Sequence, residues 1–556
     1  MSKKKIVFRR DATGLIREIG TMDALVIVFS FVIGGGIMFL SVQSLSPDLF
    51  MGANLVLSYV GALFLLLPIF LVYTILARAM PRSGGDYVFN SRIVGPAWGF
   101  LASWGLWIGN LLIIGVLAFQ TVLFLSYAVF LYGQSTWNLE LVLGAINLSN
   151  PTNTVVFGII VVLILGSFVM MGTRISTWAM RLLFIFPLIG TGIMVWLFST
   201  HSPLDMWWAW NTVFGWGVDA YGAYFDIFRV ATMWGWHINS ALASNNVAWD
   251  TFGAMIAALF AFTGCETITI VSGEIKAPHR TLFITIIIGA VIVAVFYSLI
   301  LYPMQSNYGA FISAYVYITS DIFTQLSSWT MGMMGPLAML SPSTLQYWIQ
   351  NLITVPPNIP LFGAPLAGLN LVAVFIALTG ALWLLNYIIP AIFTTSRYVF
   401  AWSFDRIFPT KISYLSERTN TPIYAVGLSL LIAVAGVLMS YFSVFQAAIN
   451  TVFLGVVSYG VVVISGLLFT RRRKDLAEIT YNPKIGKISL VTLAAVFGIL
   501  ALIPVIIAGL TTFELSSLLL VLGVYLFGAV IYLVMRRRAR KEGIDLDTIF
   551  KEIPPE

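Results

Sequence analysis

Twelve stretches of the chain stay apolar for about 20 residues or more: roughly 22–45, 53–77, 97–132, 152–172, 177–199, 251–273, 281–303, 364–396, 422–443, 446–470, 488–509 and 514–535. That is the length a helix needs to cross a bilayer, and in lipid the backbone must satisfy its own hydrogen bonds. The sequence therefore reads as an all-α polytopic membrane protein with 12 transmembrane helices. The third and eighth runs are long enough to tilt strongly. Composition agrees: 59% of residues are hydrophobic, 10% are charged and the mean hydropathy is +0.94, which excludes a soluble globular class. A single cysteine, Cys265, permits no intrachain disulfide, and three histidines lack ligand spacing, so neither a metal nor a cofactor is expected.

Orientation follows from the basic residues. With the N-terminus inside, 29 of the 30 Lys and Arg fall in cytoplasmic connections and only Arg229 falls outside. The net charge of +7 thus marks topology, and no nucleic-acid partner is expected. The first 20 residues are charged and show no cleavable signal peptide. The expectation is a multi-pass plasma-membrane protein with both termini cytoplasmic. It divides into an N-terminal segment (1–20), a first helical repeat (21–199), a Trp-rich outer loop (200–250) and a second repeat (251–470) carrying a long outer loop (304–363). A basic inner loop (471–487), two further helices (488–535) and a cytoplasmic tail (536–556) complete it. Trp207, Trp208, Trp210, Trp216, Trp234, Trp236 and Trp249 in the first outer loop read as interfacial anchors at headgroup level. The basic runs 471–474 and 536–541 suit anionic lipid, although marking the inner side explains them as well.

Two of the apolar runs carry the same defect. The stretch Phe260–Arg280 places Thr263, Gly264, Cys265 and Glu266 at membrane depth, and the first run contains Gly34-Gly35-Gly36. A carboxylate at a helix centre costs at least about 2.5 kcal/mol and marks a functional site by default. Glycines there let a helix break, which lipid tolerates only where the freed amides and carbonyls line a cavity. Glycine-interrupted segments in corresponding positions of two halves point to a transporter binding site.

Four blocks in order carry a family resemblance. Ser30 to Phe39 contains the break Gly34-Gly35-Gly36-Ile37; Met80-Pro81-Arg82-Ser83-Gly84-Gly85-Asp86-Tyr87 follows helix 2, with Gly99-Phe100 and Trp104 entering helix 3. The Phe260–Arg280 stretch is the third block; the fourth is Arg397 with Ala401, Phe404-Asp405-Arg406, Phe408-Pro409 and Thr421-Pro422. With these blocks the chain resembles the amino acid, polyamine and organocation (APC) transporter superfamily, over residues 20 to about 440. The resemblance implies a LeuT-type fold: helices 1–5 and 6–10 as two inverted repeats, helices 1 and 6 unwound at mid-membrane, and two helices added. It implies a secondary active amino acid transporter working by alternating access, by proton-coupled symport or by exchange. The substrate carboxylate would lie on amides around Ile33, Gly34, Gly35 and Gly36, and its ammonium on carbonyls near Phe260, Ala261 and Phe262, with Gly264 and Cys265 beside them. A half-helix N-terminus suits an anion and exposed carbonyls suit a cation, so bottom-up reasoning reaches the same centre.

Individual residues keep two readings. Phe260 resembles an aromatic gate; otherwise it is one of 41 phenylalanines facing lipid. Glu266 resembles a proton or amine sensor that picks up and releases a proton during the cycle; otherwise it is a neutral carboxyl bonding two helices. Asn110 resembles a substrate-contacting amide, and another helix would serve it equally. Glu274, Arg82, Arg397 and Asp405 look like inner-gate charges or solvated interfacial residues. Two departures from the family pattern matter. Ile75 stands where many members carry a glutamate, and Gly190 where some proton-coupled members carry a lysine. Coupling is left to Glu266, to exchange, or to sodium held by Ser30, Ile33 and a helix 8 hydroxyl such as Thr379. The small Cys265 and apolar Phe31 favour a neutral, mid-sized or bulky amino acid, while Glu266 keeps a polyamine or cationic amino acid exchanger open. A transport-silent amino acid sensor on the same fold stays open too. An enzyme would need a nucleophile with its base, and a channel would need rings of like residues; neither is present. The partners expected are the amino acid, a proton or sodium, and lipid, with the protein a monomer or weak homodimer.

Overall fold

The computed structural model describes residues 15, 17–46, 50–214, 222–233, 236–237, 246–326, 356–441, 444–512, 515–542 and 550. Among these, 11 helices are long and apolar enough to cross a membrane. The helices used below are α1 (Thr21–Val32), α2 (Leu55–Ala79), α3 (Gly85–Ile93), α4 (Pro96–Ser135), α5 (Pro151–Met170), α6 (Thr173–Thr200), α7 (Val247–Phe262), α8 (Gly289–Leu326), α9 (Leu371–Phe404), α10 (Ile423–Met439), α11 (Val444–Arg472), α12 (Leu490–Thr512) and α13 (Leu515–Lys541). α10 is apolar but only 17 residues long. Extended pairing among the described residues is confined to a short hairpin (Lys484–Ile485 with Ile488–Ser489) and one bridge between Ile19 and Ile275.

Local chemistry sets the helix starts. The Asn54 side chain accepts the Leu57 amide at the head of α2, and Asn370 accepts from Val372 and Ala373 at the head of α9. Pro96 and Pro151 occupy the first turns of α4 and α5, where a missing N–H costs nothing. α4 runs for 40 residues and packs on α9, α10 and α11. α1 packs on α9 and α6.

Two helix limits differ from the hydropathy reading. The run 281–303 belongs to a continuous helix that starts at Pro278, widens to a π-turn over Ile284–Ile288 and continues as α8 to Leu326. Gln305, Ser306 and Asn307 interrupt the apolar run without ending the helix, so hydropathy does not register the extension. The run 364–396 is split: Asn358 caps a separate helix (Ile359–Leu366), and α9 starts only at Leu371. The far end of α9 reaches Phe404, which places Arg397 inside the helix rather than in the loop after it. Of the outer loop 304–363, residues 327–355 lie outside the described residues.

The Trp-rich loop corrects another expectation. It forms two helices, Pro203–Phe214 and Gly222–Met233, that pack on the protruding part of α8. Trp210 is fully buried, with its ring 4.4 Å from Phe214, 4.9 Å from Phe311 and 5.6 Å from Tyr315. Trp236 is buried as well, and its indole N–H donates to Ser313 at 3.2 Å. These two are the core of a cap. Trp208 and Trp249 are about half exposed, as headgroup anchors would be; Trp216 and Trp234 lie outside the described residues. Truncating the buried ring, Trp210→Ala, is expected to cost about 3–5 kcal/mol, whereas Trp208→Ala should cost less than about 0.5 kcal/mol. The thermal unfolding midpoint in detergent measures both, and equal losses would contradict the cap.

Candidate binding site at two broken helices

Both glycine-marked segments are broken. α1 ends at Val32, Ile33 is extended (φ −81°, ψ 101°), and helix resumes as a π-turn over Gly36–Leu40. α7 ends at Phe262, Thr263 is extended (φ −59°, ψ 121°), Gly264 sits at φ +122°, and the chain resumes as a 3-10 helix over Thr267–Glu274. Gly264 holds a left-handed backbone that other residues avoid. A side chain there would also start 2.3 Å from the Phe31 ring. The breaks touch each other at Gly36, where a Cβ would lie 2.5 Å from the Ala261 Cα.

The carbonyls freed by the two breaks converge on one side chain. The Tyr297 hydroxyl, on α8, lies 2.9 Å from the Val32 carbonyl oxygen and 2.9 Å from that of Ala261. On the far side of the first break, Tyr59 of α2 donates to the Gly36 carbonyl at 2.5 Å. The two tyrosine rings meet edge to face at 5.3 Å. Neither had a signal in the sequence beyond an aromatic with a polar tip in an apolar run.

A small cavity of about 10 Å³, the room of one water, lies against the breaks. Gly35, Gly36, Asn110 and Phe260 line it, together with Phe31 and Val32. Leu117, Thr263, Tyr387 and Thr451 line it too and were not anticipated. Ile33, Gly34, Ala261, Phe262, Gly264 and Cys265 are buried in the surrounding wall. Gly34 faces the α9 backbone at Trp383, and the Phe262 ring is 5.4 Å from Tyr297.

Glu266 is 3% exposed and braces the second break. One carboxylate oxygen accepts the Gly264 amide at 3.1 Å and the other accepts the Tyr459 hydroxyl of α11 at 3.0 Å. The three residues weighed for sodium are not drawn together by hydrogen bonds. Thr379 donates to its own helix at the Phe375 carbonyl, and Ser30 accepts instead from the Asn386 amide nitrogen at 2.8 Å. Seven residues of α9, about 10 Å of helix, separate Thr379 from Asn386. The Asn386 side-chain oxygen is buried without a hydrogen-bond partner. Gly190 packs directly on Thr379: a Cβ would come within 1.8 Å of its hydroxyl, so no lysine fits there.

A layer of buried ion pairs lies on the side that carries the basic loops. Arg397 holds Glu274 through two bonds of 2.9 and 3.1 Å, with both side chains almost fully buried and the guanidinium 4.1 Å above the Phe393 ring. The bond joins the end of the second broken segment to α9. Ile19 donates to the Glu274 carbonyl, and Lys276 donates to the Ile19 carbonyl, so the chain entering α1 is tied to the same point. Asp405 accepts from Arg92 at 2.7 Å and from Tyr87 at 2.8 Å. Arg82 and Asp405 line a separate small cavity with Arg17, and the Arg82 carbonyl accepts the Ser272 hydroxyl. The four charges expected at an inner gate thus fall into two clusters. Arg92 and Tyr87 complete the second; Tyr87 stands in the block after helix 2 but had no partner assigned, and nothing in the spacing of Arg92 distinguished it from neighbouring polar residues.

Comparison with known proteins agrees with this geometry. A family model described as amino acid permease matches residues 19–531, nearly the whole chain. An uncharacterized transporter of Mycobacterium bovis and two from strains of Mycobacterium tuberculosis are 34% identical to it over 97 residues, which is 17% of this chain and 21% of each relative. The aligned region thus spans about a fifth of those relatives' length. With the family's model covering both broken helices and the scaffold around them, the chain belongs to the amino acid permease family of membrane transporters.

Proposed function

We propose that this protein is a secondary active amino acid transporter, built as twelve spans with inverted repeats over 21–199 and 251–470 and two added helices within 488–535. In this reading it lies in the plasma membrane with both termini cytoplasmic and works by alternating access. The observation that carries it is the meeting of the two breaks. Amides of the turn resuming after Gly34 offer an anion site, and the Val32 and Ala261 carbonyls offer a cation site, side by side. An α-amino acid carries both groups. Its ammonium would take over the carbonyls that the Tyr297 hydroxyl now faces.

The pocket, about 10 Å³, has the room of one water, so in this reading the breaks and the side chains around them part to admit an amino acid. Phe31, Leu117, Phe260 and Tyr387 favour an apolar side chain, with Asn110, Thr263 and Thr451 fixing its orientation. Glu266, lodged in the second break, is the coupling group in this reading: it carries a proton when the site is loaded and gives it up on the other side. A sodium-coupled version has one supporting observation, the unpartnered Asn386 oxygen beside Ser30.

The deciding experiment is uptake into proteoliposomes of each of the twenty amino acids and of common polyamines, driven by a proton gradient, a sodium gradient or internal substrate. Proton-driven uptake of a neutral amino acid is expected. Glu266→Gln should abolish the acceleration by protons while retaining counterflow, and Asn386→Ala should change uptake only if sodium drives it. If no compound moves and none raises the unfolding midpoint, the amino acid reading is wrong.

The ion-pair layer makes a separate prediction, for which Cys265, the chain's single cysteine, serves as reporter because it is fully buried at the break. Arg397→Ala leaves Glu274 buried and unpaired, a loss of about 3–5 kcal/mol. If the pair holds this side closed, the substitution speeds maleimide labelling of Cys265 at least about tenfold, or about 1.4 kcal/mol in the opening equilibrium. Unchanged labelling in a folded variant would remove the gating role.

A further inference from the structure

Glu266 is not the only carboxyl buried beside the breaks. Asp86, in the first turn of α3 and outside the membrane-spanning helices, is fully buried. One of its oxygens accepts the Tyr398 hydroxyl of α9 at 2.5 Å, and the other has no hydrogen-bond partner. No described cation lies within salt-bridge distance of it: Arg92 on the same helix is held by Asp405, and Arg397 beside Tyr398 is held by Glu274. An ionised carboxylate with one bare oxygen in such a place is costly, whereas the protonated acid is not.

Tyrosines fill the space between the two carboxyls. Tyr73 of α2 has a buried hydroxyl with no hydrogen-bond partner, and its ring meets Tyr459 edge to face at 5.9 Å. Tyr459 is the residue that donates to Glu266. The Tyr73 hydroxyl lies in the field of Asp86, Glu266, Tyr459 and Tyr398 together, and Asp86 in turn feels the charge of Glu266. The titratable groups facing Asp86 from its surroundings are therefore Tyr73 on α2, Glu266 after α7, Tyr398 on α9 and Tyr525 on α13, with Tyr459 on α11 next to Tyr73 and Glu266. On α3 itself Tyr87 and Arg92 turn to Asp405. None of these described groups is a cation, so among the described residues only hydrogen bonds offset two negative charges in this cluster, and like charges in one site keep a proton on one of them.

We propose that Asp86 is a second proton-binding group of this transporter, coupled to Glu266 across the tyrosine cluster, and that it holds a proton when Glu266 is ionised. The inference rests on the reading of Glu266 as the coupling group. Its place in the fold gives it a role: Asp86 adjoins Tyr87, part of the ion-pair layer on the basic side, so it stands between the central break and the exit. Each step is a bare proton transfer, with one O–H bond broken on the carboxyl that ionises and one formed on the carboxyl or water that receives it. Burial, opposed by the Tyr398 hydrogen bond and reinforced by the charge of Glu266, pushes the Asp86 carboxyl up to about 7. The folded protein then binds this proton more tightly than the unfolded chain, so the stability it contributes is present in acid and is lost as pH rises through neutrality.

The test is an infrared pH titration of the full-length protein in lipid, without substrate, for the wild type, Asp86→Asn and Glu266→Gln. The wild type is expected to show protonated-carboxyl absorption that persists to near-neutral pH, and Asp86→Asn should lose part of it. Tyr398→Phe removes a hydrogen bond that favours the ionised form, so it should move the remaining titration to higher pH; this variant serves if Asp86→Asn fails to fold. The unfolding midpoint should fall less between about pH 5 and about pH 8 in Asp86→Asn than in the wild type. Identical carboxyl absorption in wild type and Asp86→Asn, or a titration that Tyr398→Phe leaves unmoved, overturns the proposal. Wild-type uptake indifferent to a proton gradient would instead sink the coupling role of Glu266, and the two failures are thus distinguishable.

Discussion

Interrupting a helix inside a membrane frees amides and carbonyls that lipid cannot satisfy. The fold is arranged around two such interruptions. The Val32 and Ala261 carbonyls meet at the Tyr297 hydroxyl, the Gly36 carbonyl meets Tyr59, and the Gly264 amide meets Glu266. Every one of these partners comes from the interior of the bundle or from the break itself. Satisfying the breaks internally stabilises two non-helical backbone geometries, and in the proposed function the same polar groups become available when a ligand displaces their partners.

The contacts on the basic side complement this arrangement. Glu274, Arg397, Arg92 and Asp405 are buried, so each pair is bound to stay together or to separate into water, with little gain from intermediate positions. That is the behaviour of a two-state element. The pair Glu274–Arg397 and the bridge at Ile19 act on the ends of both broken segments at once. Parting this layer would therefore move both breaks together.

Much of the architecture was legible in the sequence because lipid imposes one strong rule. Apolar length pointed to many membrane-crossing helices, of which 11 among the described residues are long and apolar enough, and Gly34-Gly35-Gly36 and Gly264 located the breaks. What hydropathy could not register was helix beyond the ends of the apolar runs: α8 running on to Leu326, the helix Ile359–Leu366, and the cap in which Trp210 is core rather than anchor. In the candidate site, Asn110 and Phe260 carried a mark in the sequence and line the cavity, while Tyr297, Tyr59, Tyr387 and Thr451 could not be picked out. Their role depends on which faces of helices distant in sequence come together, and a tyrosine in an apolar run carries no mark of its partner. The hydrogen bond from Asn386 to Ser30 carried no mark in the sequence for the same reason.

The central claim is that the two breaks together bind the ammonium and carboxylate of one amino acid. The most direct measurement is the affinity of the purified protein for the best-transported amino acid, for its methyl ester and for its N-acetyl derivative, by titration calorimetry. Each derivative removes one charge while keeping the side chain. Both are expected to bind at least about 100-fold more weakly, a loss of about 2.7 kcal/mol each. An ester or N-acetyl derivative that binds as well as the parent would contradict the claim, because one of the two breaks would then make no contact with the ligand.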